Sequence, residues 1–262
     1  MALRHTLGWE PRFVERSPWF WPLSAAAGRF EQCAEWPSRQ ELDRAYAELA
    51  LPLGAEPLSF AENVRKADKR EGERVVLERL YDGRITCASE VPTRERDWHD
   101  FFNALCFMTY PRAKRALHRR QYALLCQRVD VTAPRLPPAR TPEQDALTLF
   151  DEGGAVIAAE PEEYQQLMAA PEYERTPLLT AFTEQGGVKV LAFGHALFEH
   201  LVEGLRCPGG STRVVCLPSV RCDQREFLAA VDRAVAELLA DATLFRAPRE
   251  GAHMRLDTLG LR

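Results

Sequence analysis

The sequence predicts an α+β protein: β-hairpins forming a mixed or antiparallel sheet packed with several helices, behind an irregular Pro- and Trp-rich N-terminal arm. Three observations predict it. Asp82-Gly83 lies between the β-rich runs ERVVLERLY and RITCAS, the pattern of a type I′ hairpin. A second such pair, ALTLFD and AVIAAE, flanks Glu152-Gly-Gly. Between and after these hairpins run segments of helical periodicity, an order that suits α+β better than a doubly wound parallel sheet.

Along the chain, Trp9, Phe13, Trp19, Phe20, Trp21, Phe30 and Trp36 fall in the first 36 residues among Pro11, Pro18, Pro22 and Pro37. Prolines so spaced interrupt regular helix, so residues 1–37 read as an arm whose aromatics dock on the main body. Ser38-Arg-Gln-Glu41 is a capping box opening a helix to about Leu49. LSFAENV reads as extended. A helix runs from about Glu95 to Met108 and stops before Tyr110-Pro111, because the residue preceding proline avoids the α region. Thr109 then caps a second helix to about Arg128. VTAPRLPPARTP, with four prolines in twelve residues, reads as a linker or extended crossing.

After the second hairpin, Glu162 to Ala170 reads as a short helix and VKVLAF as a strand. Gly194 leads into a helix over about 195–203. STRVVCLP is another strand, and QREFLAAVDRAVAELLAD is an amphipathic helix. A single domain over 1–262 follows, with a core at 38–205 and a C-terminal strand, helix and tail at 206–262.

Composition excludes several classes. With 38 acidic and 34 basic residues and 46% hydrophobic content, the chain is an ordinary globular one of net charge −4. Glu10, Arg12 and Glu15 interrupt any secretory h-region, and no run of about 18 apolar residues spans a membrane. Seven scattered cysteines without a C-x-x-C fit a reduced, cytoplasmic setting. Charge is nonetheless uneven. Residues 111–140 carry eight Arg and Lys against Asp130, and residues 141–174 carry nine Asp and Glu with no base. Either the two segments face and neutralise each other, or the basic helix of Arg112, Lys114, Arg115, Arg119 and Arg120 binds phosphate or an acidic partner.

Three clusters carry candidate chemistry. In DWHDFFNAL, Trp98, Phe101, Phe102, Leu105 and Met108 form a buried stripe. Beside it His99, Asp100 and Asn103 meet in one patch, offering a base or metal ligand, a hard oxygen and a neutral donor. Each of them could equally anchor the helix to backbone. In GHALFEH, His195 and Glu199 share a face one turn apart, as a ligand or acid–base pair or as a plain surface contact. In DALTLFDEGG, Asp145 begins a strand and could reach a metal, whereas Asp151 and Glu152 read as hairpin-tip residues.

DWHDFFNAL with the following Tyr110-Pro111-Arg112-x-Lys114-x-x-Leu117, RTPEQDALTLFDEGG and FGHALFE together resemble the domain of unknown function 3025 family over roughly residues 75–205. The resemblance implies a soluble bacterial protein and names no reaction, cofactor or catalytic residue.

Two functional readings stand. In the first, the chain is a metal-assisted hydrolase acting on a phosphate-containing substrate. His99, Asp100, Asn103, His195 and Glu199 are its catalytic groups, and His99, Asp100, Asp145 and His195 hold a divalent metal. Arg112, Lys114, Arg115 and Arg119 bind the phosphate-bearing small molecule. In the second, it is a non-catalytic binding or regulatory protein whose basic helix contacts an anionic partner. The pI near 5.9, with no zinc-finger, RRM or P-loop pattern, argues against nucleic acid. The first reading requires His99 and His195 to face one cleft.

Overall fold

The computed structural model describes residues 7–63, 70–71, 74–129, 137, 139–205 and 211–248. The architecture is α+β. Its first part is the arm. Two short 3-10 turns, Phe13–Arg16 and Pro18–Leu23, lead into α1 (Ser24–Ala27). The arm turns inward: Phe13, Phe20, Leu23 and Phe30 are buried, and Trp9, Trp19 and Trp36 are half-buried against the same cluster. Next come α2 (Arg39–Leu49), opened by the expected capping box of Ser38 and Glu41, and β1 (Ser59–Ala61). The short strands β2 (Arg70–Glu71) and β3 (Arg74–Val75) pair antiparallel.

The first hairpin is not there. After β3 the chain forms α3 (Tyr81–Gly83), which continues as a π turn over Arg84–Ala88, and then β4 (Glu90–Pro92), parallel to β1. A type I′ turn needs positive φ at Asp82 and Gly83, but Gly83 sits at φ −65° and ψ −44°. A Cβ there would lie 2.1 Å from the Leu77 carbonyl oxygen, so this glycine serves a close backbone approach.

The next two helices follow expectation. They are α4 (Trp98–Thr109), N-capped by Asp97, and α5 (Pro111–Arg128), with Pro111 in its first position. Tyr110 rather than Thr109 is the residue at the start of α5, and the Thr109 hydroxyl donates back to the Leu105 carbonyl. Most of the proline-rich crossing lies outside the described residues.

The second hairpin is also replaced by a helix. In α6 (Pro142–Gly153) the Thr141 hydroxyl accepts from Gln144 N, and the Gln144 side chain accepts from Thr141 N. That capping box, with Pro142 at the first position, starts a helix where alternation suggested a strand. Only β5 (Ala155–Ala159) is extended. Then follow α7 (Pro161–Ala169), α8 (Glu172–Gln185), β6 (Val188–Ala192), α9 (His195–Val202), β7 (Thr212–Cys216) and α10 (Gln224–Ala240). The sequence reading did not separate α8 from its surroundings.

β5 is the centre of a three-stranded mixed sheet, antiparallel to β6 and parallel to β7. Its side chains alternate between two cores, as strand geometry requires. Val156 and Ala158 join the cluster under α5, α6 and α10, while Ile157 and Ala159 join Leu167, Leu179 and Phe182 under α7 and α8. A third cluster gathers the arm, α2, α4 and α9. No described helix is long and apolar enough to cross a membrane.

Part of the uneven charge is met internally. Lys114 and Arg120 of α5 pair with Asp151 and Glu143 of α6. The basic and acidic segments thus face each other.

Candidate metal centre

Three helix segments meet at one point. α4 brings His99, the last turn of α6 brings Glu152, and the first turn of α9 brings His195 with Glu199 one turn on. Gly194 makes the meeting geometrically possible. A Cβ on it would lie 2.4 Å from both the Glu152 carbonyl oxygen and the Gly154 nitrogen. Only a residue without a side chain lets the start of α9 lie this close to the end of α6. The Gly154 carbonyl accepts from Phe193 N and Gly194 N and fixes that junction.

His99 and His195 face each other, with their Nε2 atoms 3.0 Å apart. Glu152 Oε2 lies 3.4 Å from His195 Nε2 and 3.8 Å from His99 Nε2. One ligating atom from each of the three falls within 4.8 Å of the others, the one such group among the described residues. His195 is buried, whereas His99 and Glu152 are part-exposed, so the cluster is closed on one side and open on the other.

Protonation states follow from the surroundings. Glu199 Oε2 stands 2.9 Å from His99 Nδ1 and can only accept, so Nδ1 carries a hydrogen and Nε2 of the neutral ring is a bare lone pair. Burial pulls the His99 pKa down, but the bond to Glu199 and the nearby Glu152, Glu199 and Asp100 carboxylates outweigh it and raise it overall.

His195 is held well below the ordinary histidine range, first by burial and then by the Lys114 ammonium. It is therefore neutral and has one N–H to place. Its Nδ1 is buried without a hydrogen-bond partner among the described residues, and Asp151 Oδ2 stands 3.9 Å away. With a hydrogen on either Nε2 the two rings share a hydrogen bond across 3.0 Å. With both hydrogens on Nδ1 the two Nε2 lone pairs converge on one point, where a cation can take the place of the shared proton.

The carboxylates agree. Burial raises the Asp151 pKa, but Lys114, His195 and His118 outweigh it and hold Asp151 ionised far below the usual range. The Glu152 pKa is raised, chiefly by burial and further by Asp151 and Glu199. Three carboxylates (Asp151, Glu152 and Glu199) thus crowd around one buried ammonium, Lys114, one imidazole held neutral, His195, and one whose pKa is raised, His99. A site of this composition favours a divalent cation. Metal–nitrogen bonds of about 2.0–2.1 Å place neighbouring ligand atoms about 3 Å apart; the observed sides are 3.0 and 3.4 Å, with His99 to Glu152 longer at 3.8 Å. Glu199 behind His99 is the carboxylate that commonly orients a metal-bound imidazole.

Other expected site residues are placed elsewhere. Asp100 accepts three hydrogen bonds from Arg94, through its backbone N, Nε and Nη2, and fixes the loop entering α4. Asn103 donates to the Tyr81 hydroxyl at 2.7 Å and is buried. Asp145 is exposed in the first turn of α6, two turns before Glu152. The α5 cations meet protein groups. Arg112 reaches the Leu53 carbonyl and Asp232, Arg115 the Pro57 carbonyl and Glu56, and Arg119 Glu56. Lys114 is fully buried against Asp151.

Asp151 and Glu152, expected as hairpin-tip residues, are instead the counterion of Lys114 and the third corner of the cluster. The signal that identifies them is Thr141-Pro-Glu-Gln144, which extends a helix to their positions. They also line a pocket of about 410 Å³ bounded by α3, α5 and α6, with Arg128 and Arg140 exposed on its walls.

Residues 70–256 match the family described as Protein of unknown function (DUF3025). The match extends beyond the 75–205 stretch of resembling motifs and takes in β7 and α10. No curated protein and no solved structure matches the chain.

Proposed function

This chain belongs to the DUF3025 family, and we propose that it is a metal-assisted hydrolase acting on a phosphate-containing substrate. His99, His195 and Glu152 hold a divalent cation, with Glu199 orienting the His99 ring through its Nδ1 and Asp151 standing 3.9 Å from His195 Nδ1. The observation that carries this reading is the pair of Nε2 atoms 3.0 Å apart beside the Glu152 carboxylate.

Three protein ligands on a half-open site leave positions for water and substrate, the arrangement of catalytic rather than structural metal sites. A cation there acidifies a bound water and polarises a phosphoryl oxygen. The pocket that begins at Asp151 and Glu152 supplies room for a substrate, and Arg128 and Arg140 offer its phosphate a positive rim. This role falls to those two arginines because they line the pocket, whereas Arg112, Lys114, Arg115 and Arg119 do not; Arg128 Nη1 also donates to the Ala139 carbonyl at 2.6 Å.

Metal analysis of the purified full chain, stripped with chelator and reloaded with Zn²⁺ or Mn²⁺, tests the reading. One equivalent is expected, lost in His99→Ala and His195→Ala and retained in Asp100→Asn and Asp145→Ala. Absence of stoichiometric metal in the wild-type protein overturns it. Stoichiometric metal without turnover of any phosphate ester overturns the hydrolytic half alone.

A further inference from the structure

The pocket beside Glu152 contains a second histidine that the metal cluster does not use. His118, on α5, is 2% exposed. Its ring is stacked on Phe107 at 5.5 Å, with planes 11° apart, and meets the Tyr81 ring edge-on at 5.4 Å. Asp82 Oδ1 lies 2.9 Å from its Nδ1. The carboxylate can only accept, so Nδ1 carries a hydrogen and Nε2 is the free basic nitrogen. That Nε2 is buried and has no hydrogen-bond partner among the described residues.

Buried polar atoms are nearly always satisfied. An imidazole clamped between two rings, oriented by a carboxylate and left open at one nitrogen is costly to keep as a mere anchor of α3 to α5. His118 and Asp82 line the same cavity as Asp151 and Glu152, and approach it from different helices. The cavity lining therefore carries both a cation-binding group and an oriented base, together with apolar Leu80, Leu117 and Leu125.

We propose that His118 is a catalytic residue that passes a proton to the leaving group of the substrate, and that Asp82 is its positioning residue. The proposal rests on the hydrolytic reading above. In the step, the oxygen of a water held at the open face of the cluster forms a bond to phosphorus. The bond from phosphorus to the ester oxygen breaks, and its electron pair goes to that oxygen. His118 enters the step with a proton taken up from solvent on Nε2, beside the Asp82 carboxylate, and that proton transfers to the same oxygen, releasing an alcohol or phenol. The proton given up by the attacking water returns to Nε2 through solvent. The substrate class that fits is a phosphomonoester with a small apolar body, seated between the leucines, whose leaving oxygen is too basic to depart unprotonated.

The metal-loaded full chain is assayed on phenyl phosphate and on p-nitrophenyl phosphate, with His118→Gln and Asp82→Asn as variants. p-Nitrophenolate departs without a proton, whereas phenolate departs faster with one. Loss of a general acid costs about 10²–10⁴-fold on phenyl phosphate, and less than about tenfold is expected on the nitro ester. Both variants are expected to retain one equivalent of metal. An equal fall on both esters, or no fall on phenyl phosphate, overturns the proposal. Asp82 is part-exposed, so Asp82→Asn supplies the test if His118→Gln does not fold.

If the wild-type protein binds metal but hydrolyses neither ester, the hydrolytic reading fails, and the pocket is judged by NMR. A saturable shift of the His118 ring nitrogens with phenyl phosphate, absent in Asp82→Asn, supports His118 as the ligand-contacting group. An unmoved signal overturns it.

Discussion

Replacing Lys114 by Met probes the interior of the site without touching a proposed ligand. Lys114 is 0% exposed, its Nζ donates to Asp151 Oδ1, and it lies 5.0 Å from the centre of the Phe107 ring. Met keeps most of the stem's volume, so packing changes little. Charge changes a great deal. Asp151 is 8% exposed, and an uncompensated buried carboxylate costs about 3–5 kcal/mol. That is a large part of the roughly 5–15 kcal/mol that a domain has in total.

The sign of the pH dependence reverses as well. In the wild-type protein Asp151 is depressed, with Lys114 the first of the groups that outweigh burial. It therefore contributes stability that is present above the unfolded carboxylate pKa and lost as pH falls through the lower folded value. Without Lys114, burial dominates and the folded pKa rises. The variant then loses stability as pH increases from about 4 towards 7.

Urea denaturation at pH 5 and pH 7 reads both effects. The expected result is a wild-type minus variant difference of about 3–5 kcal/mol at pH 7 that shrinks at pH 5. Lys114→Met/Asp151→Leu is expected to recover a large part of it, because removing both partners strands no charge. A loss below about 1 kcal/mol, or a double variant no more stable than the single one, refutes the argument that this ion pair is a coupled buried unit.

Gly194→Ala places a Cβ 2.4 Å from backbone atoms of Glu152 and Gly154. It is expected to cost about 1–3 kcal/mol or more and to weaken metal binding by spreading α9 from α6, as thermal melts and metal titration check. Asp232 of α10 accepts from Ala113 N and Arg112 N at the start of α5, and burial raises its pKa to about 6. A carboxyl with a raised folded pKa contributes stability that is present below the unfolded value and lost as pH rises through the folded one. This group alone is expected to remove about 2 kcal/mol between pH 4 and pH 7. Asp232→Asn is expected to flatten that slope, and an unchanged slope in urea titrations counts against it.

Much of the fold was legible wherever a local device fixes an element. Ser38–Glu41 caps α2, Tyr110-Pro111 divides α4 from α5, and the periodicity of 224–240 marks α10. The two hairpins failed for a shared reason. Their turn residues, Asp82-Gly83 and Glu152-Gly153, are also what a helix carries where its backbone is crossed closely or where it ends. Alternation over a few residues does not separate those cases, whereas the Thr141–Gln144 cap does.

Of the site, His99 was readable beside Asn103 and His195 beside Glu199 as helix-spaced pairs, and the structure brings the two imidazoles to 3.0 Å and Glu199 to 2.9 Å from His99. Glu152 was hidden by the misplaced turn. His118 was hidden because it lies among the arginines of a helix whose charge drew attention to the wrong residues. Spacing along one helix cannot reveal which side chains another helix will complete.

The aromatic face of α4 rests on the N-terminal arm: Trp9 stacks on Trp98 at 5.4 Å, and Phe13 meets Phe102 edge-on at 5.2 Å. Arg16 donates to the carbonyl of Val202 at the end of α9. The family match begins only at residue 70. A fragment cut to that match would carry His99, Glu152, His195 and Glu199 and yet strip the backing from the two helices that bear the imidazoles. Its bared tryptophan and phenylalanine rings would seek each other between molecules, so whoever trims this protein for crystals should keep its first forty residues.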